Sequence, residues 1–262
     1  MAHRHDGTDR QARRFHRRRT NALQNSTLGF QRLDLDFARL DRLDPVRYSS
    51  LAMAAGDSGL MTLIRAIVAG GSGTALQLLA ASPMLATAHA AEGATRQVAQ
   101  THFLDEIGHY VYAGDTALHI AAAAYRLEIV RKLIVMGADV RARNRRGAEP
   151  LHYAADGGPG SRSWNPAAQA ATVTCLIQAG ADPNAVDKSG VTPLHRAVRT
   201  RCSAAVRALL DGGADARRKN KGGSTPMRLA TLNTGRGGSG SPESKAQQKE
   251  ILRVLKQHTT LP

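Results

Sequence analysis

Only two cysteines, Cys175 and Cys202, occur in the 262 residues. That is too few for a disulfide framework and fits a reducing compartment. Aromatic residues are also scarce, at 4% of the chain. A core poor in rings excludes a broad aromatic-filled sandwich and suits short Ala- and Leu-lined helices that approach closely. No apolar run nears the ~20 residues a membrane-crossing helix requires. The best stretch, residues 60–69, is broken by Arg65. The first twenty residues are polar and basic, without the apolar segment of a secretory signal. The expectation is a cytoplasmic protein that does not enter a membrane. Acidic residues are outnumbered, 21 against 36 Lys and Arg, leaving a formal net charge of +15. Such an excess favours acidic partners, whether nucleic acid, anionic lipid or protein.

What the chain does have is a repeat. GDTALHIAAAA from Gly114, GAEPLHYAADG from Gly147, GVTPLHRAVRT from Gly190 and GSTPMRLATLN from Gly223 align, with starting glycines 33, 43 and 33 residues apart. A second series, MGADVRARN from Met136, AGADPNAVD from Ala179 and GGADARRKN from Gly212, keeps the 43 and 33. Two landmarks in one register mark a structural unit repeated in tandem.

The local chemistry of each position reads as helix–turn–helix. Thr192 and Thr225 are helix-capping hydroxyls, followed by Pro193 and Pro226 at the first helical position, where a missing N–H costs nothing. Leu118, Leu151, Leu194 and Met227, with the alanines after them, give a thin first-helix face. Ile129, Val130, Leu133 and Ile134 recur as Thr172, Val173, Leu176 and Ile177, then as Ala205, Val206, Leu209 and Leu210, one buried stripe of a second helix. Gly137, Gly180 and Gly213 fall where that helix ends and a left-handed residue is wanted. Glu149 in place of Thr and Ala117 in place of Pro predict weaker helix starts. Arg228 and Lys256, polar where the pattern is apolar or His, predict a C-terminal cap.

These motifs resemble the ankyrin-repeat family, whose unit of about 33 residues carries a T-P-L-H-x-A signature. The likeness is tight over 112–230 and looser over 59–258. It implies an all-α ankyrin-repeat solenoid of helix–turn–helix repeats with β-turn fingers, stacked so that neighbours share a core. Four repeats are placed at about 111–143, 144–186, 187–219 and 220–258, within a region spanning 111–262. Residues 51–110 are read as a degenerate N-terminal capping repeat plus an insertion. In that insertion RQVAQTHFLDEIGHYVY is predicted to form a helix burying Val98, Phe103, Leu104 and Ile107. Residues 1–50, with the basic run RQARRFHRRRT, read as a disordered extension, either a solvated tail or a nucleic-acid arm. Repeats two and four carry Gly/Ser-rich loops, from Gly157 and Asn233, which are expected to project from one edge. Trp164 on the first either packs or offers itself to a partner.

Catalysis finds no support. His119, His152 and His195 form one column, one per repeat, about 10 Å apart if repeats stack like packed helices. That is too far for two to share a zinc ion. In the family this histidine ties fingers to helices. No glycine-rich stretch has the Gly-Lys-Ser/Thr ending of a phosphate loop, and no serine sits in a nucleophile elbow. No cofactor, metal or small-molecule substrate is expected, and the chain is read as a monomer.

The resemblance also implies where a partner binds: finger tips and the open side of the first helices. Mapped onto this chain, these are Tyr112 and Asp115 with Ala123 and Ala124; Arg143, Arg145, Arg146, Ala148 and Asp156; Lys188, Ser189, Val191, Arg199 and Thr200; and Lys219, Lys221, Ser224 and Asn233, with Trp164 on the loop. Two fingers are strongly basic, Arg141–Arg143–Arg145–Arg146 and Arg217–Arg218–Lys219–Lys221. The expected occupant is an acidic protein surface, with nucleic-acid phosphate as the alternative. Few aromatics lie near the tips in sequence, so base stacking is poorly supplied.

Overall fold

The computed structural model describes residues 59–232 and 240–260. All belong to the unit that spans 45–262. The basic extension, Asn233 and most of the second loop lie outside the described residues.

Helix pairs follow one another along the chain. The first pair is α1 (Gly59–Val68) and α2 (Ser72–Ala81); the next are α3 (Ala117–Ala123) with α4 (Leu127–Val135), and α5 (Pro150–Ala154) with α6 (Pro166–Gln178). Then come α7 (Pro193–Thr200) with α8 (Ser203–Asp211), and α9 (Pro226–Thr231) with α10 (Pro242–Thr260). Two rows result. The first helices pack in the order α1, α3, α5, α7, α9, and the second helices in the order α2, α4, α6, α8, α10. A helix pair cannot cover its own apolar face, so each repeat is closed by the next.

The predicted stripes form that shared interior. Leu118, Leu151 and Leu194 are fully buried, as are Ile129, Val130, Leu133, Val173, Leu176, Val206 and Leu209. Ala121, Ala122, Ala154 and Ala197 separate them, and their lack of bulk lets the first helices lie close. Each buried leucine contributes about 2 kcal/mol of transfer free energy. The α1–α2 pair joins the same core through Leu63, Ile64, Ile67, Ala75 and Leu79.

Helix ends follow local chemistry. The Thr192 hydroxyl accepts the His195 amide at 3.3 Å, and the Thr225 hydroxyl accepts that of Arg228 at 3.2 Å. Helices α6 and α10 start early, as their Asn-Pro and Ser-Pro signals require. Asn165 caps the first through the Ala168 amide, and Ser241 takes the Ser244 amide in the second.

The insertion differs from expectation. Instead of a helix, residues 103–110 form a two-stranded antiparallel hairpin, β1 (Phe103–Leu104) against β2 (His109–Tyr110), with Phe103 facing Tyr110. Leu104 is buried, whereas Val98 is exposed and Phe103 and Ile107 are half-covered. Four residues turn the hairpin, with Gly108 at φ 61° taking the left-handed position a side chain would resist. The chain before it runs back along the first finger: Ala90 donates to the Asp115 carbonyl at 2.7 Å, and Gly114 donates to that of Ala90 at 2.7 Å.

Candidate partner-binding fingers

Each finger is built from one recurring set of hydrogen bonds. Asn144 accepts the amides of Arg146 (2.9 Å) and Ala148 (3.1 Å) through its side-chain oxygen. Asp187 does the same for Ser189 (2.8 Å) and Val191 (3.0 Å), and Asn220 accepts Ser224 at 3.0 Å. A short polar side chain that accepts from residues two and four ahead fixes a tight turn. Sequence reasoning missed these three residues, although an Asn or Asp stands three positions before Gly147, Gly190 and Gly223 alike.

The histidine column joins fingers to helices. The Nδ1 atoms of His119, His152 and His195 accept the backbone amides of Thr116 (3.1 Å), Glu149 (3.1 Å) and Thr192 (3.3 Å). Their Nε2 atoms donate onward to the carbonyls of Ala148 (3.2 Å), Val191 (3.0 Å) and Ser224 (3.0 Å), each in the following finger. With Nδ1 accepting and Nε2–H donating, every ring is the neutral tautomer and both nitrogens are occupied. Burial pushes all three below the ordinary histidine range, His152 to about 3 with Arg196 adding to the effect. Among the described residues no group of His, Cys, Asp or Glu side chains could hold a metal ion.

Several residues assigned to the partner surface do not reach it. Asp115 is fully buried. Its carboxylate accepts the Tyr112 amide at 2.7 Å, the Asn144 amide group at 2.8 Å and the Tyr153 hydroxyl at 2.8 Å. The returning chain at Ala90 donates to its backbone carbonyl at 2.7 Å. Ala123, Ala124 and Ala148 are buried too. Val191 and Ser224 are half-covered and contribute their carbonyls to the histidine column, and Thr200 turns its hydroxyl back to the Arg196 carbonyl at 3.0 Å. Asp156 faces Arg196 at 3.5 Å, and Arg199 is half-buried. Trp164 is half-buried against the core beside Cys202. Its loop does not simply project, because Gly158 lies so close to the Thr200 carbonyl that no side chain would fit.

The two basic fingers prove unlike. In the first, Arg141 donates to the Gly180 carbonyl at 2.9 Å, and Arg143 pairs with the buried Glu149 carboxylate at 2.9 Å. Burial raises the Glu149 carboxyl while Arg143 opposes that rise. Arg145 donates to the Ala94 carbonyl and lies 5.4 Å over the Tyr112 ring. Arg146 lies 5.0 Å over the same ring and donates to its hydroxyl at 2.9 Å. All four arginines are therefore engaged within the chain. In the last finger Arg217 donates to the Thr259 carbonyl at 2.7 Å. By contrast Lys188, Arg218, Lys219 and Lys221 are exposed, and among the described residues they form no ion pair.

The hairpin also brings aromatics where few were expected. Phe103 and Tyr110 pack with ring centres 4.7 Å apart and planes tilted by 50°, and Tyr110 lies 6.4 Å from Tyr112, the ring under Arg145 and Arg146.

A stack of helix pairs joined by histidine-tied turns defines a helical-repeat protein with a ladder of exposed fingers. Family models described as ankyrin repeats match residues 51–161 (three copies), 146–188 (a single repeat) and 176–230 (many copies). The chain belongs to the ankyrin-repeat family. No curated protein matches it by sequence. Repeats of this kind are generally protein–protein interaction modules and typically non-catalytic. No helix among the described residues is long and apolar enough to cross a membrane.

Proposed function

We propose that the protein is a non-catalytic scaffold that holds an acidic protein partner against its last two fingers. The observation that carries this reading is the cluster of exposed cations that form no ion pair among the described residues: Lys188 on one finger, with Arg218, Lys219 and Lys221 on the next. Unneutralised charges on a rigid edge attract an acidic surface over several ångströms and lose that attraction as salt rises. Ser189, exposed between them, completes the tip. The first basic finger takes part by shape, its arginines being held by Glu149, Tyr112 and backbone carbonyls.

Nucleic acid is the second reading, favoured by the Phe103–Tyr110–Tyr112 cluster beside Arg145 and Arg146, which could stack a base. Both arginines, however, already lie over the Tyr112 ring, which leaves less of it to a base. The test is capture from native lysate, with and without nuclease treatment, on the full chain and on the Lys188→Glu/Lys221→Glu double variant. The expected result is a set of acidic proteins retained by the first, lost by the second and eluted below about 0.5 M salt. Equal retention by both chains would overturn the proposal. Retention that disappears with nuclease would transfer it to nucleic acid.

A further inference from the structure

The last fingers impose a period on whatever binds them. Successive tips are joined by one backbone hydrogen bond in the same place: Arg145 donates to Ala113 at 2.7 Å, Lys188 to Arg146 at 2.9 Å and Lys221 to Ser189 at 3.1 Å. The three cations are thus equivalent residues of consecutive fingers, one per repeat, and consecutive repeats stack about 10 Å apart. Two of them are also braced. A side chain at Gly147 would meet the Lys188 stem at 3.3 Å, and one at Gly190 would meet the Lys221 stem at 3.1 Å, so each lysine lies along a neighbouring glycine. Both glycines have positive φ, 73° and 71°, which keeps that space empty of side chains. Arg145 has turned inward to Ala94 and Tyr112. Lys188 and Lys221 therefore stand as a pair of exposed cations whose stems start one repeat apart.

From this geometry we infer that the partner offers an extended acidic segment in polyproline II conformation, with carboxylates three residues apart meeting Lys188 and Lys221. The arithmetic selects the conformation. A β-strand turns the same face outward every second residue, at about 7 Å and then about 13 Å, and neither matches one repeat. Polyproline II rises about 3.1 Å per residue with three residues per turn, so every third side chain returns to one face after about 9 Å. Lys219 and Arg218, exposed beside Lys221, hold further carboxylates beyond the pair. The inference rests on the acidic-partner reading and narrows it to a peptide class.

Two synthetic peptides of identical composition, rich in proline and serine, test it. One carries glutamate at every third position, the other carries the same glutamates clustered at one end. Titration against the full chain, followed by fluorescence anisotropy, is expected to favour the spaced peptide by about fivefold. Lys188→Glu and Lys221→Glu should each weaken it by about fivefold and abolish the preference between peptides. Circular dichroism on both variants confirms that they remain folded, since neither lysine contributes to the core. Equal affinity for both peptides, with both weakened by the reversals, would overturn the period and leave the acidic-partner reading standing. Indifference to the reversals would overturn both.

Discussion

The Arg141–Arg146 finger and the Arg217–Lys221 finger carry the same number of cations on the same kind of turn, yet they do different work. In the first, guanidinium groups reach carbonyls of Gly180 and Ala94, the Tyr112 ring and the buried Glu149 carboxylate. In the second, Arg218, Lys219 and Lys221 are exposed and form no ion pair among the described residues. The residue types explain much of this. A planar guanidinium forks onto carbonyls and stacks on rings, whereas a hydrated ammonium on a flexible stem prefers solvent. Formal charge overstates what a partner can feel, because a cation already facing a carboxylate contributes little field beyond it. The first finger is held by its charges, and the second presents them.

If the first finger is internal architecture, breaking it should lower stability and leave binding chemistry unchanged. The largest effect is expected at Asp115→Ala, which strands the Tyr112 amide, the Asn144 amide group and the Tyr153 hydroxyl. A loss of about 3 kcal/mol in urea denaturation is expected. A change below about 1 kcal/mol would mean that the buried network is not a joint. Next is the histidine column. The folded pKa of His152 is depressed to about 3. Its contribution is therefore complete above the unfolded value near 6.5 and declines as pH falls toward the folded one. Wild type should lose about 2 kcal/mol through His152 between pH 7 and pH 5. His152→Gln should be less stable at pH 7 yet lose less over that interval. Parallel losses in the two proteins would rule the column out as the acid-sensitive element.

Arg143→Ala comes third. It leaves the Glu149 carboxylate buried without its counter-ion, at roughly 1–2 kcal/mol, reduced because Arg143 is itself half exposed. Glu149 has a folded pKa raised by burial, so it favours the folded state at low pH and opposes it as pH rises through that value. Removing Arg143 raises it further. The deficit of the variant should accordingly shrink when unfolding is repeated near pH 5, and a deficit that grows on acidification would contradict the pairing.

How far these contrasts were legible in the sequence follows from their range. The buried stripes of α4, α6 and α8 repeat every turn of a helix, and periodicity reports such local, one-face burial directly. The capping threonines and the Pro166 and Pro242 starts are equally local. Asp115 is not. It occupies the finger position of Ala148, Val191 and Ser224, and its carboxylate is engaged by Asn144 and Tyr153, 29 and 38 residues downstream, while its carbonyl takes the Ala90 amide from twenty-five residues upstream. Val98, Phe103, Leu104 and Ile107 satisfy helical spacing, yet the segment is a hairpin. Gly108 between Phe103 and Tyr110 was the available signal for a turn between β-favouring residues. Which arginines are engaged depended on the same non-local return, since Ala94 and Tyr112 meet Arg145 only once the insertion folds back.

The smallest effects on stability should separate the fingers most sharply. Arg145→Glu loses its carbonyl bond and its position over Tyr112, a change of about 1 kcal/mol by the usual worth of a cation–ring contact. Lys188 and Lys221 form no side-chain hydrogen bond or ion pair among the described residues, so Lys188→Glu and Lys221→Glu should stay within about 0.5 kcal/mol of wild type. Affinity for an acidic partner should rank the opposite way, with the lysine variants losing most and losing their salt dependence with it. The two rankings come from independent measurements, urea denaturation and anisotropy titration. If Arg145→Glu weakened binding as much as the lysine reversals at unchanged stability, the first finger would also be presenting its charge. The division between a finger that holds and a finger that offers would then have to be redrawn around Tyr112, whose ring would be releasing Arg145 to the partner.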